Sequence, residues 1–265
     1  MLITISHTLS LMLGPGTVRS VQHVLLTPQS GPTQMVRQWS IDMPGMAGAA
    51  SFIDGFGNRA HLVTQYRPEA QLTVSVKGIV DTIDRNGVIG RLPGEPPSAI
   101  YRRPSPLAKA AGAITSKFRS GPKEGQGRIA LLHELMARVG EVIGGAQSQS
   151  QSAEGQAQAQ SQGEVAKVGA PDFAHAFIGA ARALEIPARY VTGYVAAHGD
   201  DASWHAWAEA WDDGLGWIAF DPALGYCPTD RHVRVATGLD GGAVPAIRGV
   251  PVIAAPLTDV SVAAQ

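Results

Sequence analysis

Cysteine is almost absent from this chain: Cys227 is the only one in 265 residues. No intramolecular disulfide can form, which fits a reducing compartment. Charge is also scarce, at 16%, and balanced to a net charge of -1. Nothing in that balance points to nucleic acid or to an anionic membrane. Long apolar runs are missing, and no stretch reaches the ~18 residues of a membrane span. The opening residues, MLITISHTLSLML, lack a positive n-region. Ile3, Ile5, Leu9, Leu11 and Leu13 share one parity, a strand pattern rather than a signal peptide. These absences together lead to the expectation of a cytoplasmic protein. Metal motifs such as H-E-x-x-H and C-x-x-C are missing too, so neither a metal nor a cofactor is expected.

What is present divides the chain. Residues 1 to about 90 read as an N-terminal all-β, sandwich-like domain. Short alternating runs (VQHVLLTP, MVRQWSIDM, AASFIDGFGNRAHLVTQY, AQLTVSVKGIVDTI) are broken by Gly, Pro and Asn. Asp54-Gly55-Phe56-Gly57-Asn58 is a turn built from residues that tolerate positive φ. A Gly- and Pro-rich linker over residues 86–105 leads into a second domain, residues 91–265. Ser105 and Pro106 suit the start of a helix over SPLAKAAGAITSKF. GRIALLHELMARVGEVI carries Ile129, Leu132, Leu135 and Met136 at helical spacing. The Gln/Ser/Ala/Gly run at about 146–165 has no apolar period and is expected to be a mobile loop with room for a helical fragment. After it, Pro171–Leu184 is apolar nearly all round and predicts a buried helix. Strands are predicted in ARYVTGYVAA, in TDRHVRVATG and in AIRGVPVIAA, with the last few residues frayed.

SWHAWAEAW, then DDG, then LGWIAF is a hairpin signal. With Asp212-Asp213-Gly214 as the loop, Trp211 faces Leu215, Trp207 faces Ala219 and His205 faces Asp221. Directly opposed residues point to one face with Cβ atoms about 4.5–5.5 Å apart. The hairpin therefore sets an imidazole beside a carboxylate. A one-residue slip would part them.

Three motifs carry a resemblance: Asp172-Phe173-Ala174-His175, His205-Ala206-Trp207 and Phe220-Asp221-Pro222. They resemble the transglutaminase-like superfamily, in the form of bacterial proteins described as cysteine proteases. DGFGN resembles a turn in the N-terminal β domain of the same proteins, and DRHVRVA resembles their later sequence. The resemblance implies an α+β fold: a papain-like, transglutaminase-like core, with a helix packed on an antiparallel sheet, behind the N-terminal all-β domain. It implies that His205 is a general base and Asp221 its orienting carboxylate. Where the family has its nucleophilic cysteine, this chain has Ala170, and the glutamine that follows is Pro171. Base and orienter can activate only a nucleophile that is present.

The resemblance therefore implies a non-catalytic homologue that uses a retained cleft to bind a polypeptide or a protein partner. One alternative is an active amidohydrolase or acyl transferase with another nucleophile, Cys227 being the candidate. Another is a scaffold for an active paralogue. His175 reads as a satisfied core histidine. Trp204, Trp207, Trp211 and Trp217 read as cross-strand packing.

Overall fold

The computed structural model describes residues 1–118, 127–154, 168–196, 203–251 and 257–264, with the side chains of 146–154 left aside. Six long or medium strands come first: β1 (Leu2–Met12), β2 (Arg19–Thr27), β3 (Gln34–Asp42), β4 (Ala50–Ile53), β5 (Arg59–Tyr66) and β6 (Gln71–Thr82). Short β7 (Val88–Gly90), α1 (Gly112–Thr115), α2 (Arg128–Glu154) and α3 (Ala170–Ala183) follow. The chain then runs through β8 (Ala188–Val195), β9 (Ser203–Asp212), β10 (Gly216–Phe220), β11 (His232–Gly238), β12 (Ile247–Val250) and β13 (Leu257–Ala264).

Three antiparallel sheets result, with strand orders β13-β1-β6-β3, β12-β2-β5-β4 and β11-β8-β9-β10-β7. The first two share one core. Leu9 and Leu11 of β1 and Val74 and Val76 of β6 meet Val24 and Leu26 of β2 and Val63 of β5. Each such side chain contributes about 1.5–3 kcal/mol by leaving water. Gly78 keeps the buried parity of β6 but carries no side chain there, for a packing reason. A Cβ there would lie 2.0 Å from the Trp39 ring, which donates Nε1–H to Leu26 O at 3.0 Å.

In the core, α3 buries Phe173, Ala174, Phe177, Ile178, Ala180 and Ala181. Ala206, Ala208 and Ala210 of β9 join the same cluster, and their small side chains let the helix come close to the sheet. This is the mixed α and β arrangement, a helix on an antiparallel sheet, that the sequence predicts. Arg182 ties down the helix end. Its guanidinium donates to the carbonyls of Tyr101, Ala188 and Leu239 and to Ser105 Oγ.

Strand pairing does not follow a boundary at residue 90. The tail strands return to the sandwich, β13 pairing with β1 and β12 with β2. In the other direction, β7 adds to the core sheet beside β10. The C-terminal residues 257–264 are thus a paired strand rather than a frayed end. Their alternate residues meet β1, whose other side is already filled by β6.

Two helix expectations change. Ser105–Phe118 is helical only over Gly112–Thr115, with a 3-10 turn over Ser116–Phe118. Leu107 N–H instead bonds Asp240 Oδ2, at 3.2 Å. The second concerns α2, which continues to Glu154 and so supplies the helical fragment in the first part of the Gln/Ser run. The rest of that expected loop lies outside the described residues. No helix among the described residues is long and apolar enough to cross a membrane.

Candidate functional site

The site is built on the β9–β10 hairpin. Its turn is Asp213–Leu215, one residue later than the sequence suggests, because Asp212 Oδ1 accepts the N–H groups of Gly214 and Leu215, each at 2.9 Å. Trp217 therefore pairs with Trp211 and Ala219 with Glu209. The register is two residues off the expected one. A shift of two preserves parity, so every side chain keeps its face. Asp221 becomes the diagonal neighbour of His205 rather than the direct one. His205 Nε2 and Asp221 Oδ2 lie 2.7 Å apart.

Asp221 is fully buried and saturated with donors. Oδ1 accepts from the N–H groups of Ala223 and Leu224, both at 3.1 Å. Oδ2 accepts from His205 and, at 3.3 Å, from His232 Nε2. Burial alone would raise the carboxyl pKa. The hydrogen bonds and charge of the two imidazoles outweigh it and hold the group below the ordinary carboxylate value.

His232 is the residue that sequence reasoning missed. It comes from β11, two strands away from β9, and only the pairing of β8 with both strands aligns it. The signal available was its place at the start of the alternating run HVRVATG. Its Nδ1 accepts the Thr229 N–H at 3.2 Å, which leaves the hydrogen on Nε2 to donate to Asp221. His205 has no described partner for Nδ1 and is only partly covered, so that nitrogen is the free end of the pair.

Gly193 pairs with His205 across β8 and β9. A Cβ on Gly193 would lie 2.1 Å from Val233 O and 2.6 Å from the Trp207 ring. The glycine lets Trp207 lie flat under the site, 5.4 Å from the His232 ring at near right angles.

Ala170 is the first residue of α3 and is half-buried. The helix end carries an N-terminal cap in which Asp172 Oδ2 accepts the Gly169 N–H at 2.8 Å. Ala206, Ala208 and Ala210 turn towards α3, whereas His205, Trp207 and Glu209 have the opposite parity.

His175 is not part of the pair. Its Nε2 accepts the Gly241 N–H at 3.0 Å, its ring stacks on Tyr190 at 4.7 Å, and burial lowers its pKa. Cys227 lies beside Gly87, whose added Cβ would be 3.4 Å from Sγ. Burial pushes its thiol up. It has no hydrogen-bond partner among the described residues. Trp207 and Trp217 are buried, and Trp211 packs edge-on against Trp217. Trp204 instead meets His7 and Tyr194. Among the described residues no group of three or more His, Cys, Asp and Glu side chains is arranged to hold a metal ion.

Beneath the same face lies a buried ion network. Arg189 and Glu209, both without exposed side-chain surface, pair at 2.6 Å. Arg189 also meets Glu95 at 2.8 Å and lies 3.9 Å from the centre of the Trp217 ring. Arg234 closes the network onto Glu209 at 2.8 Å.

Two family descriptions match the chain. The transglutaminase-like superfamily core covers residues 137–222, the span that holds α3 and the hairpin. The bacterial transglutaminase-like N-terminal region covers residues 3–81. The chain belongs to the transglutaminase-like superfamily. A crystal structure from Cytophaga hutchinsonii, described as a "Putative Cysteine Protease", superposes with a TM-score of 0.65 at 20% identity. It covers 99% of this chain and 90% of the other, so this transglutaminase-like chain shares its fold nearly throughout. An uncharacterized protein of Mycobacterium leprae is 24% identical over 246 residues, covering 87% of this chain and 86% of its own. The periplasmic domain of TgpA from Pseudomonas aeruginosa, bound to ethylmercury, is 17% identical and covers 83% of this chain and 76% of that one. Its TM-score is 0.29.

Proposed function

We propose that this transglutaminase-like chain is a non-catalytic homologue that binds a polypeptide or a protein partner, such as an active paralogue, in a retained cleft. One observation carries the reading. The His205–Asp221 pair is intact and buttressed by His232, while residue 170, which the family resemblance sets at the nucleophile position, is alanine. An alanine methyl cannot attack a carbonyl. Loss of the nucleophile from such a unit costs on the order of 10⁶ in turnover in the best-studied serine case. Pro171 reinforces the reading, because it has no N–H to offer an oxyanion. The competing enzyme reading takes Cys227 or another nucleophile; the Cys227 thiol is raised by burial and hydrogen-bonded to no imidazole among the described residues. The lone cysteine supports a cytoplasmic setting.

The test is the rate of labelling by iodoacetamide as a function of pH. It compares the native protein, Ala170→Cys, and Ala170→Cys with Pro171→Gln. The introduced thiol is expected to react faster than Cys227 and to keep reacting at lower pH, with the double variant ahead of the single. A helix N-terminus and a nearby imidazolium both favour thiolate. Peptide or transamidase turnover by the native protein that disappears in Cys227→Ser would overturn the non-catalytic reading.

A further inference from the structure

Between the sandwich and the core lies a pocket of about 430 Å³. Its walls come from the loop between β2 and β3, the loop after β4, the segment that follows β7, and β11. Ile53, Phe56, Ile89 and Leu92 give it apolar sides, and the charged Arg234 and Glu95 line it as well. A third charge, Arg91, is committed to Asp213 O at 2.8 Å and to the Trp211 ring.

Arg234 and Glu95 are the outer members of a closed ring of four charges. Arg189 and Glu209 have no exposed side-chain surface, whereas Arg234 and Glu95 keep 18% and 12% of theirs. The ring leaves part of both outer members unused. Arg234 donates Nε–H to Glu209, but its Nη2 lies 3.5 Å from Glu95 Oε1, beyond good hydrogen-bond range, and Nη1 has no partner among the described residues. Glu95 accepts from Arg189 Nη1 on Oε1, and its Oε2 has no partner among the described residues. Neither atom is sealed: among the described residues, the polar side-chain atoms buried without a partner lie elsewhere. The pocket is therefore offered a donor and an acceptor side by side. The amides of Gln34 and Asn58 in its wall offer nothing further, since their donors and acceptors are already taken.

Charge decides the ligand class. Two guanidiniums and two carboxylates balance, so an ion of either sign would be drawn to one exposed head and repelled by the other. A neutral group with a donor and an acceptor on one edge suits both. We propose that this pocket binds a neutral aromatic lactam, its C=O accepting from Arg234, its N–H donating to Glu95, and its rings lying between the apolar sides. In a lactam the amide is cis, so N–H and C=O point the same way, whereas the trans amide of a peptide bond points them apart. Hydrogen bonds to charged groups are the stronger kind. The volume suffices for fused rings, since a cavity of about 150 Å³ already holds benzene. A cleft between two packed units is a common place for a small-molecule site. The site involves none of Ala170, His205 and Asp221, and it goes beyond the polypeptide-binding reading.

The experiment titrates 2-quinolone into the native protein and follows the fluorescence anisotropy of the probe. N-methyl-2-quinolone, which keeps the rings and the carbonyl but loses the donor, is one control. Quinoline-2-carboxylate, an anion of similar shape, is the other. Saturable binding is expected for 2-quinolone, and binding about tenfold weaker or worse for both controls. Gly31→Phe fills the pocket and is expected to remove binding. Its added Cβ would have Leu92 Cδ2 as nearest neighbour, at 3.8 Å, an ordinary contact. Should that variant fail to fold, Leu92→Trp closes the same space from the facing wall, with the same loss expected. No saturable binding by the native protein, equal affinity for 2-quinolone and either control, or unchanged binding in a folded pocket-filling variant overturns the proposal.

Discussion

Arg189 and Glu209 are charges that the fold places out of reach of water, each justified only by the other and by Glu95 and Arg234. Burial lowers the arginine pKa, but the two carboxylates outweigh it and hold the cation above its usual value. The two guanidiniums likewise offset burial and hold Glu209 below the usual carboxylate value. Arg189→Met leaves Glu209 buried with one partner fewer. The expected loss is about 3–5 kcal/mol in urea unfolding. The double change with Glu209→Gln is expected to recover part of it. A double variant no more stable than the single would show that the pair is not coupled. Gly193 poses a steric problem of the same scale. Gly193→Ala would drive a methyl into Val233 O and the Trp207 ring. A near-ultraviolet circular dichroism spectrum is expected to report the displaced indole, with a loss of about 1–3 kcal/mol.

At the scale of elements, β11 ends the core sheet with a free edge, and two amide side chains from the sandwich cover it. Gln34 donates Nε2–H to Arg234 O and accepts Arg234 N–H, both at 2.8 Å. Asn58 does the same to Thr237, again at 2.8 Å each way. Each amide acts as one more rung of the ladder, and together they flank the bulge between Arg234 and Ala236. The DGFGN turn thereby gains a reason beyond its own conformation. Asp54 Oδ1 accepts the N–H groups of Phe56 and Asn58 and fixes the loop that presents Asn58. Asn58→Leu strands a buried N–H and C=O on Thr237 and is expected to cost about 2–4 kcal/mol. Amide exchange should rise at Thr237 before it rises in β8. Unchanged protection at Thr237 would refute the docking role.

The whole molecule is tied together by chain return. β12 and β13 complete both sandwich sheets, so a fragment of residues 1–90 lacks two edge strands and leaves β1 and β2 with unpaired ladders. That fragment is expected to show no cooperative thermal transition, in contrast to the full chain. A sharp transition in the isolated fragment would count against the closure. Acid sensitivity is also a property of the whole, because His7 sits at the junction. Its folded pKa of about 4 is below the usual 6.5, so the fold favours the neutral ring. That contribution is complete above 6.5 and is lost as pH falls towards 4, amounting to about 3 kcal/mol. His23, His61 and His175 are shifted the same way by burial. The Asp221 contribution has the same sign but is lost at lower pH, below the ordinary carboxylate value. Urea unfolding at pH 7 and pH 4 is expected to differ by more in the native protein than in His7→Phe.

Periodicity and a few motifs were enough to establish the strands of the sandwich, the apolar α3 and the hairpin that bears His205 and Asp221. Those signals are local: alternation of two, a helix apolar all round, a turn rich in Asp and Gly. Parity survived a two-residue error in register because the pleat repeats every two residues, and so the imidazole and the carboxylate were legible as partners. The third partner was not. His232 reaches Asp221 only through two strand pairings and a bulge, which no single window of sequence contains. The same holds for the return of residues 257–264 to β1, where an exposed alternating tail reads alike whether it is free or paired. It holds again for His7, a histidine that interrupts an apolar strand. Sequence by itself made it an exception to the pattern. Only the packing of the sandwich on the core buried it, with Nδ1 3.0 Å from the Tyr194 hydroxyl and Nε2 without a partner among the described residues, because hydrogen-bond satisfaction is settled by neighbours far apart in the chain.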